Sequence, residues 1–312
     1  MEGVRAVTTV EDATGPAPAQ GLGGKAKAFK NLVLLEHSVF ALPFAYIAAL
    51  TAMFSASRTV HWRQLVLVTI AMVGARSFAM AVNRIIDREF DARNPRTARR
   101  ELVTGVLSVK AAWAGAITAL AVFLAAAASL NWLVFWLCPL AVVPLVLYPY
   151  GKRFTNVPHA LLALAQAIGP IGAWMAVSGA WSWSAVVLGL AVGIWIGGFD
   201  LIFALQDIET DREQGLGSVP AKWGVAVALT GARAAHVVTM ALFIVFGALT
   251  HAGGFWWFGI VVVAAAFVYE HALLSPTDLS RLGRAFFTVN GFVGIALFCF
   301  ALLDLLVRGL RG

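Results

Sequence analysis

Charge is scarce in this sequence. Lys, Arg, Asp and Glu make up 12% of its 312 residues, about half the share found in a soluble domain, which excludes an ordinary water-soluble globule. Cysteine is scarcer still. Cys138 and Cys299 both lie inside apolar runs, so they read as thiols packed against core or lipid rather than as a disulfide or a metal pair. His159, His236, His251 and His271 show no metal-ligand spacing. The first 24 residues are rich in Ala, Gly and Pro with mixed charge and lack the apolar stretch of a secretory signal. Residues 1–28 are therefore expected to form a flexible cytoplasmic tail, and 29–312 a single membrane domain.

What fills the chain is long apolar runs, such as "LVFWLCPLAVVPLVLYPY" and "GIVVVAAAFVYEHALL", with a mean hydropathy of +0.83. Segments of roughly 20 residues suffice to cross a bilayer as helices, and nine are predicted, at about 32–54, 64–84, 111–129, 132–150, 158–178, 182–204, 231–250, 255–274 and 285–307. The class is all-α membrane protein. With the N-terminus inside, 18 of the 23 basic residues fall on the cytoplasmic side and four outside, as the positive-inside rule requires. The net charge of +7 follows from that bias and calls for no nucleic-acid partner.

Against this background "NRIIDREFDARNPRTARR", 83–100, is anomalous, because both signs of charge crowd into it. Asn83, Asp87 and Asp91 recur in steps of four, which on a helix puts three oxygen-bearing side chains on one face. Such a row suits a hard cation, and Mg²⁺ typically bridges carboxylates to phosphate oxygens. Taken alone, a solvated, salt-bridged helix end with Arg84 and Arg88 accounts for it equally well. A second cluster, "FDLIFALQDIETDREQG", repeats the step with Asp207 and Asp211, and Asp200 lies seven residues before Asp207. By the predicted topology both clusters emerge on the cytoplasmic side. Two facing acidic sites can clamp a diphosphate through metal ions, and Arg96, Arg100, Lys152 and Lys222 can bind the oxygens the metals leave.

Within the spans, Arg76 lies two turns above Asn83 on the same face, where it either anchors an anionic group of a second substrate or ties helices together through Glu36 or Asp200. His37 near the start of the first span fits a helix-end hydrogen bond as well as a catalytic role. Glu270, near the inner end of the eighth span, can snorkel to the interface.

These residues resemble the UbiA superfamily of intramembrane aromatic prenyltransferases. The pattern N-x-x-x-D-x-x-x-D in one loop and D-x-x-x-D in another is met by the two clusters; "YPYGKR", 148–153, is similar to the family's Y-x-x-x-K stretch, and "NPRTARR" to its basic segment. The resemblance spans nearly all of the chain beyond about residue 28 and implies a nine-helix bundle whose active site opens to the cytoplasm. It is strongest to the 4-hydroxybenzoate polyprenyltransferase-like branch. "EHSVFALPFA" and "ALQDIETDREQGLGSVPAKWG" look like the menaquinone prenyltransferase of the futalosine route, whose acceptor is a dihydroxynaphthoate. Glu101 departs from the usual "RPL", and a carboxylate there is expected to weaken or redirect the phosphate contact of Arg100.

The resemblance implies that Asn83, Asp87 and Asp91 hold one Mg²⁺ and Asp207 and Asp211 another, with Arg96, Arg100 and Lys152 on phosphate. It places Tyr148 near the diphosphate or the developing cation and Arg76 at the acceptor's carboxylate. The implied reaction transfers a polyprenyl group from an allylic diphosphate to an aromatic acid in respiratory quinone biosynthesis, in a bacterial-type inner membrane and with no obligate protein partner. Trp174, Trp195, Phe199 and Phe203 are candidates to face the allylic cation, and Asp200 or Asp207 to take the ring proton. Haem, chlorin or homogentisate acceptors are alternatives within the family. A CDP-alcohol phosphotransferase would need a contiguous D-G-x-x-A-R type run, which is missing, and a cation-coupled transporter would place its acids near mid-membrane rather than at one interface.

Overall fold

The computed structural model of the protein describes residues 21–33 and 41–312. The regular elements among the described residues are all helices. A short helix, α1 (Gly21–Val33), precedes α2 (Leu42–Ser57) and α3 (Trp62–Ile86), and α3 runs on through a kink into α4 (Arg88–Arg93). Then come α5 (Val109–Leu130), α6 (Trp132–Leu147), the single turn α7 (Gly151–Phe154), α8 (Pro158–Ser178), α9 (Trp183–Phe203), α10 (Ile208–Glu213) and α11 (Val219–Trp223). The chain ends with α12 (Val225–Leu249), α13 (Gly254–Ala272) and α14 (Asn290–Val307), the last entered through a π turn at Arg284–Val289.

Among the described residues eight helices are long and apolar enough to cross a membrane, and α2 is equally apolar but 16 residues long. The expected boundaries hold to within a few residues, with two exceptions. The first predicted span, 32–54, does not begin at 32: its opening residues belong to α1 or fall in 34–40, outside the described residues with Glu36 and His37. The seventh begins at Val225 rather than 231, because the helix starts directly after the turn at Gly224 (φ +86°). Of the expected tail, 1–28, only 21–28 fall among the described residues. These belong to α1, whose Ala28 and Leu32 pack with Phe78, Ala112 and Ala116 of α3 and α5.

α9 is the centre of the bundle. It is apolar on every side, so no face of it prefers the outside, and it packs against α8, α12 and α2. Gly189, Gly193 and Gly197 recur every four residues along one face. A Cβ at Gly189 or Gly193 would collide with the carbonyl oxygens of Ala167 or Ala163 in α8, so only glycine permits this backbone approach. The crossing fixes His159 on α8 against Asp200 on α9. The outer surface carries Trp132, Trp136, Trp181 and Trp183 in exposed positions, as expected of rings at a membrane boundary. Cys138 is buried, Cys299 is exposed, and both are free thiols.

Candidate active site

The two aspartate motifs are built alike. α3 ends at Asp87, whose backbone sits in the bridge region (φ −92°, ψ 4°), and α4 follows at once. α9 passes through a 3₁₀ turn, Ala204–Asp207, and Asp207 repeats the same conformation (φ −109°, ψ 9°) before α10. The expectation of one straight helical face is corrected here. The helix bends at the first aspartate of each motif, and the bend brings the second, Asp91 or Asp211, to the same cavity.

That cavity, about 150 Å³, is lined by Asn83, Asp87, Asp91, Asp200, Asp207 and Asp211, with Arg96, Arg100, Lys152, Arg153, Asn94, Tyr148 and His159 among the rest. Each motif aspartate faces one cation. Arg96 grips Asp207 with Nε (3.1 Å) and a terminal nitrogen (2.8 Å), and Asn94 adds a third hydrogen bond at 2.8 Å. Arg100 donates to Asp91 at 2.6 Å, Lys152 to Asp211 at 3.1 Å and Arg153 to Asp87 at 3.4 Å. Asn83 donates to the other Asp87 oxygen at 3.3 Å. Arg96 also lies over the Phe203 ring, and Arg153 over Phe90 and Tyr150.

Local sequence explains the positions of the cations. In "NPRT" the Asn94 side chain accepts from the Arg96 backbone, an Asx turn, and buried Thr97 donates to the Asp91 carbonyl, which curls the segment over the cavity. Gly217 donates its backbone N–H to the Lys152 carbonyl, where a Cβ would strike Thr155, so the segment carrying Lys152 is bound to the segment that follows Asp211. Burial pushes the Asp87 carboxyl up to about 6, against the pull of Arg153. It pushes Asp91 up to about 7, against the pull of Arg84.

A second chamber of about 220 Å³ adjoins the first and shares Asn83, Arg96, Arg100, Tyr148, Asp200 and Phe203 with it. Its wall is mostly apolar, with Phe199, Phe286, Phe287, Ile196 and Leu162, and it holds Arg76 and Gln166. Arg76 Nε is buried with no hydrogen-bond partner among the described residues. Asp200 does not pair with it. Its Oδ2 lies 2.7 Å from His159 Nδ1, and Glu36, the other expected partner, lies outside the described residues.

Other expectations need correction. Lys222 lines neither chamber. It is exposed on α11, where Pro220 takes the buried position and two residues further on the helix faces away. Glu101 makes no ion pair among the described residues, and Arg100 turns to Asp91 instead. Trp174 and Trp195 are core residues; of the four proposed aromatics only Phe199 and Phe203 reach the chamber. Glu270 does not snorkel but is fully buried. His159, Asn94, Arg153, Phe286 and Phe287 went unrecognised in the sequence, and of these only "NP" and the arginine beside Lys152 carried any local signal.

The donor set offered by the motifs is oxygen only, which suits a hard divalent ion. This geometry can bind a polyanion with metal at one end and an apolar chain with a ring at the other. The model of the UbiA prenyltransferase family matches residues 41–293. This chain belongs to the UbiA family. A UbiA homolog from Aeropyrum pernix, solved without ligand, superposes with a TM-score of 0.78 at 33% identity, covering 86% of this chain and 98% of its own. A UbiA homolog from Archaeoglobus fulgidus bound to GPP and Mg²⁺ shares the fold at TM-score 0.64 and 20% identity, covering 89% of this chain and 99% of its own. A 4-hydroxybenzoate octaprenyltransferase of Pseudomonas aeruginosa is 28% identical over 93% of this chain and 98% of its own length. This UbiA-family chain is thus a multi-pass membrane enzyme that transfers prenyl groups.

Proposed function

We propose that the chain transfers a polyprenyl group from an allylic diphosphate to a carboxylated aromatic acceptor, with the active site on the cytoplasmic side of a bacterial-type inner membrane. One observation carries this reading: a charged chamber with paired aspartates and four cations adjoins a mostly apolar, aromatic-walled chamber into which Arg76 is set. A diphosphate fits the first and a polyprenyl chain with an aromatic acid the second. The 4-hydroxybenzoate relatives and the "EHSVFALPFA" resemblance leave two acceptors in contention, 4-hydroxybenzoate and a dihydroxynaphthoate. Either product is a quinone precursor.

Asn83, Asp87 and Asp91 on one side, and Asp207 and Asp211 on the other, would hold Mg²⁺. When bound it supplies charge neutralisation on the diphosphate. The chain's own groups do the rest. Arg96, Arg100, Lys152 and Arg153 exchange their carboxylates for diphosphate oxygens, so their charge acts where negative charge develops as the allylic C–O bond breaks and its electron pair stays with oxygen. Phe199, Phe203, Phe286 and Phe287 exclude water and turn ring faces to the allylic carbon. Arg76 holds the acceptor carboxylate and so aims the ring. The ring's π electrons form the new C–C bond. The displaced ring proton goes to Asp200, and the C–H pair restores aromaticity.

Asp200 suits the role of base better than Asp207. Asp207 accepts three hydrogen bonds from Arg96 and Asn94, whereas Asp200 borders both chambers and its Oδ1 has no hydrogen-bond partner among the described residues. His159 on Oδ2 fixes the carboxylate. The experiment supplies membranes containing the protein with geranylgeranyl or longer polyprenyl diphosphate, Mg²⁺, and each acceptor in turn, and detects product by mass spectrometry. Mg²⁺-dependent product from one acceptor is the expected result. No product from either with any donor would overturn the assignment.

A further inference from the structure

Away from the aspartate chamber, three ligand-type side chains meet between α12 and α13. His236 Nδ1 lies 3.0 Å from His271 Nε2 and 3.4 Å from Glu270 Oε2, and one ligand atom from each of the three lies within 4.8 Å of the others. His236 is 2% exposed, Glu270 0%, and His271 is half-buried at the end of α13. Glu270 Oε1 accepts from Asn290 at 2.7 Å, and Asn290 in turn accepts from the Trp195 indole at 2.8 Å. Oε2 has no hydrogen-bond partner among the described residues. No Lys or Arg pairs with Glu270 among the described residues.

A buried carboxylate without a cation is costly, and more so in a membrane bundle. The contact between the two imidazoles can be a hydrogen bond, but that leaves Oε2 unmet. One bound cation satisfies all three atoms at once. We propose that His236, Glu270 and His271 form a second, structural metal site for a Zn²⁺-class ion. Nitrogen and oxygen ligands at about 2.0–2.1 Å around a tetrahedral ion stand about 3.3 Å apart, and the 3.0 and 3.4 Å separations here bracket that edge. Two imidazoles and a carboxylate select a borderline transition ion over Mg²⁺ or Ca²⁺.

The surroundings fit a fixed ligand set. His236 stacks on Phe267 at 4.3 Å, and its Nε2 is turned onto Gly198 of α9, which leaves Nδ1 for the ion. Asn290 orients the carboxylate as an outer partner does in metal centres. His271 offers an entry from the surface, with the fourth position open to water. The ion would join α12 to α13 and, through Asn290 and Trp195, to α14 and α9. Trp195 packs edge-on to Phe199, which in turn meets Phe286. The site thus stiffens the wall of the apolar chamber without touching substrate, and it stands independently of the acceptor assignment.

The test uses detergent-purified full-length protein, stripped with chelator, loaded with Mg²⁺, then titrated with Co²⁺ or Cu²⁺. The expected result is one equivalent of Co²⁺ with the intense visible absorption of a four-coordinate site, and Cu²⁺ resonance spectra split by two ring nitrogens. Both signals should vanish in His271→Gln and in Glu270→Gln, and persist in Asp87→Ala/Asp207→Ala. His271→Gln, altering a half-buried helix end, is the variant least prone to misfold; its melting temperature should match the metal-free wild type and no longer rise with Co²⁺. Absence of Co²⁺ binding, or a weak six-coordinate spectrum abolished only by the aspartate changes, would overturn the proposal.

Discussion

His159 Nδ1 lies 2.7 Å from Asp200 Oδ2, joining α8 to α9 where the charged and apolar chambers meet. A carboxylate placed there can receive a ring proton without leaving its hydrogen bond. Asp200→Asn should lower kcat by about 10²–10⁴-fold, the usual weight of a general base, with acceptor KM little changed. A ring-deuterated acceptor should show a larger isotope effect in the variant, because proton loss becomes slower than bond formation. His159→Gln, which alters only positioning, should cost less and shift the pH profile. Wild-type rates and isotope effects in Asp200→Asn would remove Asp200 from the mechanism.

Arg96 meets Asp207 through two nitrogens and lies 5.0 Å from the Phe203 ring centroid. Lysine keeps the charge and loses the fork. Arg96→Lys should raise the KM for prenyl diphosphate and lower kcat/KM by about 10–100-fold, on the scale of a lost charged hydrogen bond of about 1.5–3 kcal/mol. Steady-state kinetics with the diphosphate varied would check it. An unchanged diphosphate KM would place Arg96 outside the binding set.

Arg76 sits in the apolar chamber with its Nε unpartnered among the described residues. Arg76→Met keeps its bulk and removes its charge. Acceptor KM should rise at least about 10-fold, in line with a charged hydrogen bond of about 1.5–3 kcal/mol, while the diphosphate KM stays fixed. A decarboxylated phenol should discriminate poorly between wild type and variant. Equal losses for both substrates would point to a folding role instead.

Asp87 and Asp91 titrate near 6 and 7 in the metal-free protein, above the ordinary 3.8, because burial disfavours their charged forms. Raised values mean that their contribution to stability is complete below about pH 4 and is lost as pH rises through the folded values. Metal binding needs the same carboxylates deprotonated, so Mg²⁺ should offset that loss. The rise in melting temperature produced by Mg²⁺ should be small at about pH 5 and large at about pH 8. A Mg²⁺ effect independent of pH over that window would contradict the placement of the ion on these two groups.

The glycine face of α9 is a stability prediction. Gly193→Val drives a side chain into the Ala163 carbonyl, whereas Gly172 has nothing within 4 Å of a new Cβ. Gly193→Val should cost at least about 1–3 kcal/mol and separate His159 from Asp200, while Gly172→Ala should leave the melting temperature within error. Thermal unfolding in detergent with activity measured alongside would test both.

The motifs proposed to bind the diphosphate were legible because their chemistry is local. Asn83, Asp87 and Asp91, then Asp207 and Asp211, stand in steps of four, and Tyr148 and Lys152 repeat that step. A fold of apolar helices followed from composition and length. What escaped was set by packing between helices. His159 and Asp200 are 41 positions apart, and His236 meets Glu270 and His271 across two helices, so no spacing rule could join them. Lys222 was misplaced because its charge was counted without the facing of α11, which buried Pro220 determines. The bends at Asp87 and Asp207 were equally hidden, since hydrophobic period runs on through them.

The central claim is that the two aspartate motifs act on one diphosphate. Its most direct test compares membranes carrying wild type and Asp87→Ala/Asp207→Ala at matched expression, with polyprenyl diphosphate, Mg²⁺ and the preferred acceptor, and detects prenylated aromatic product by mass spectrometry. The account predicts Mg²⁺-dependent product from the wild type and none from the folded double variant. Undiminished product from the variant would contradict it.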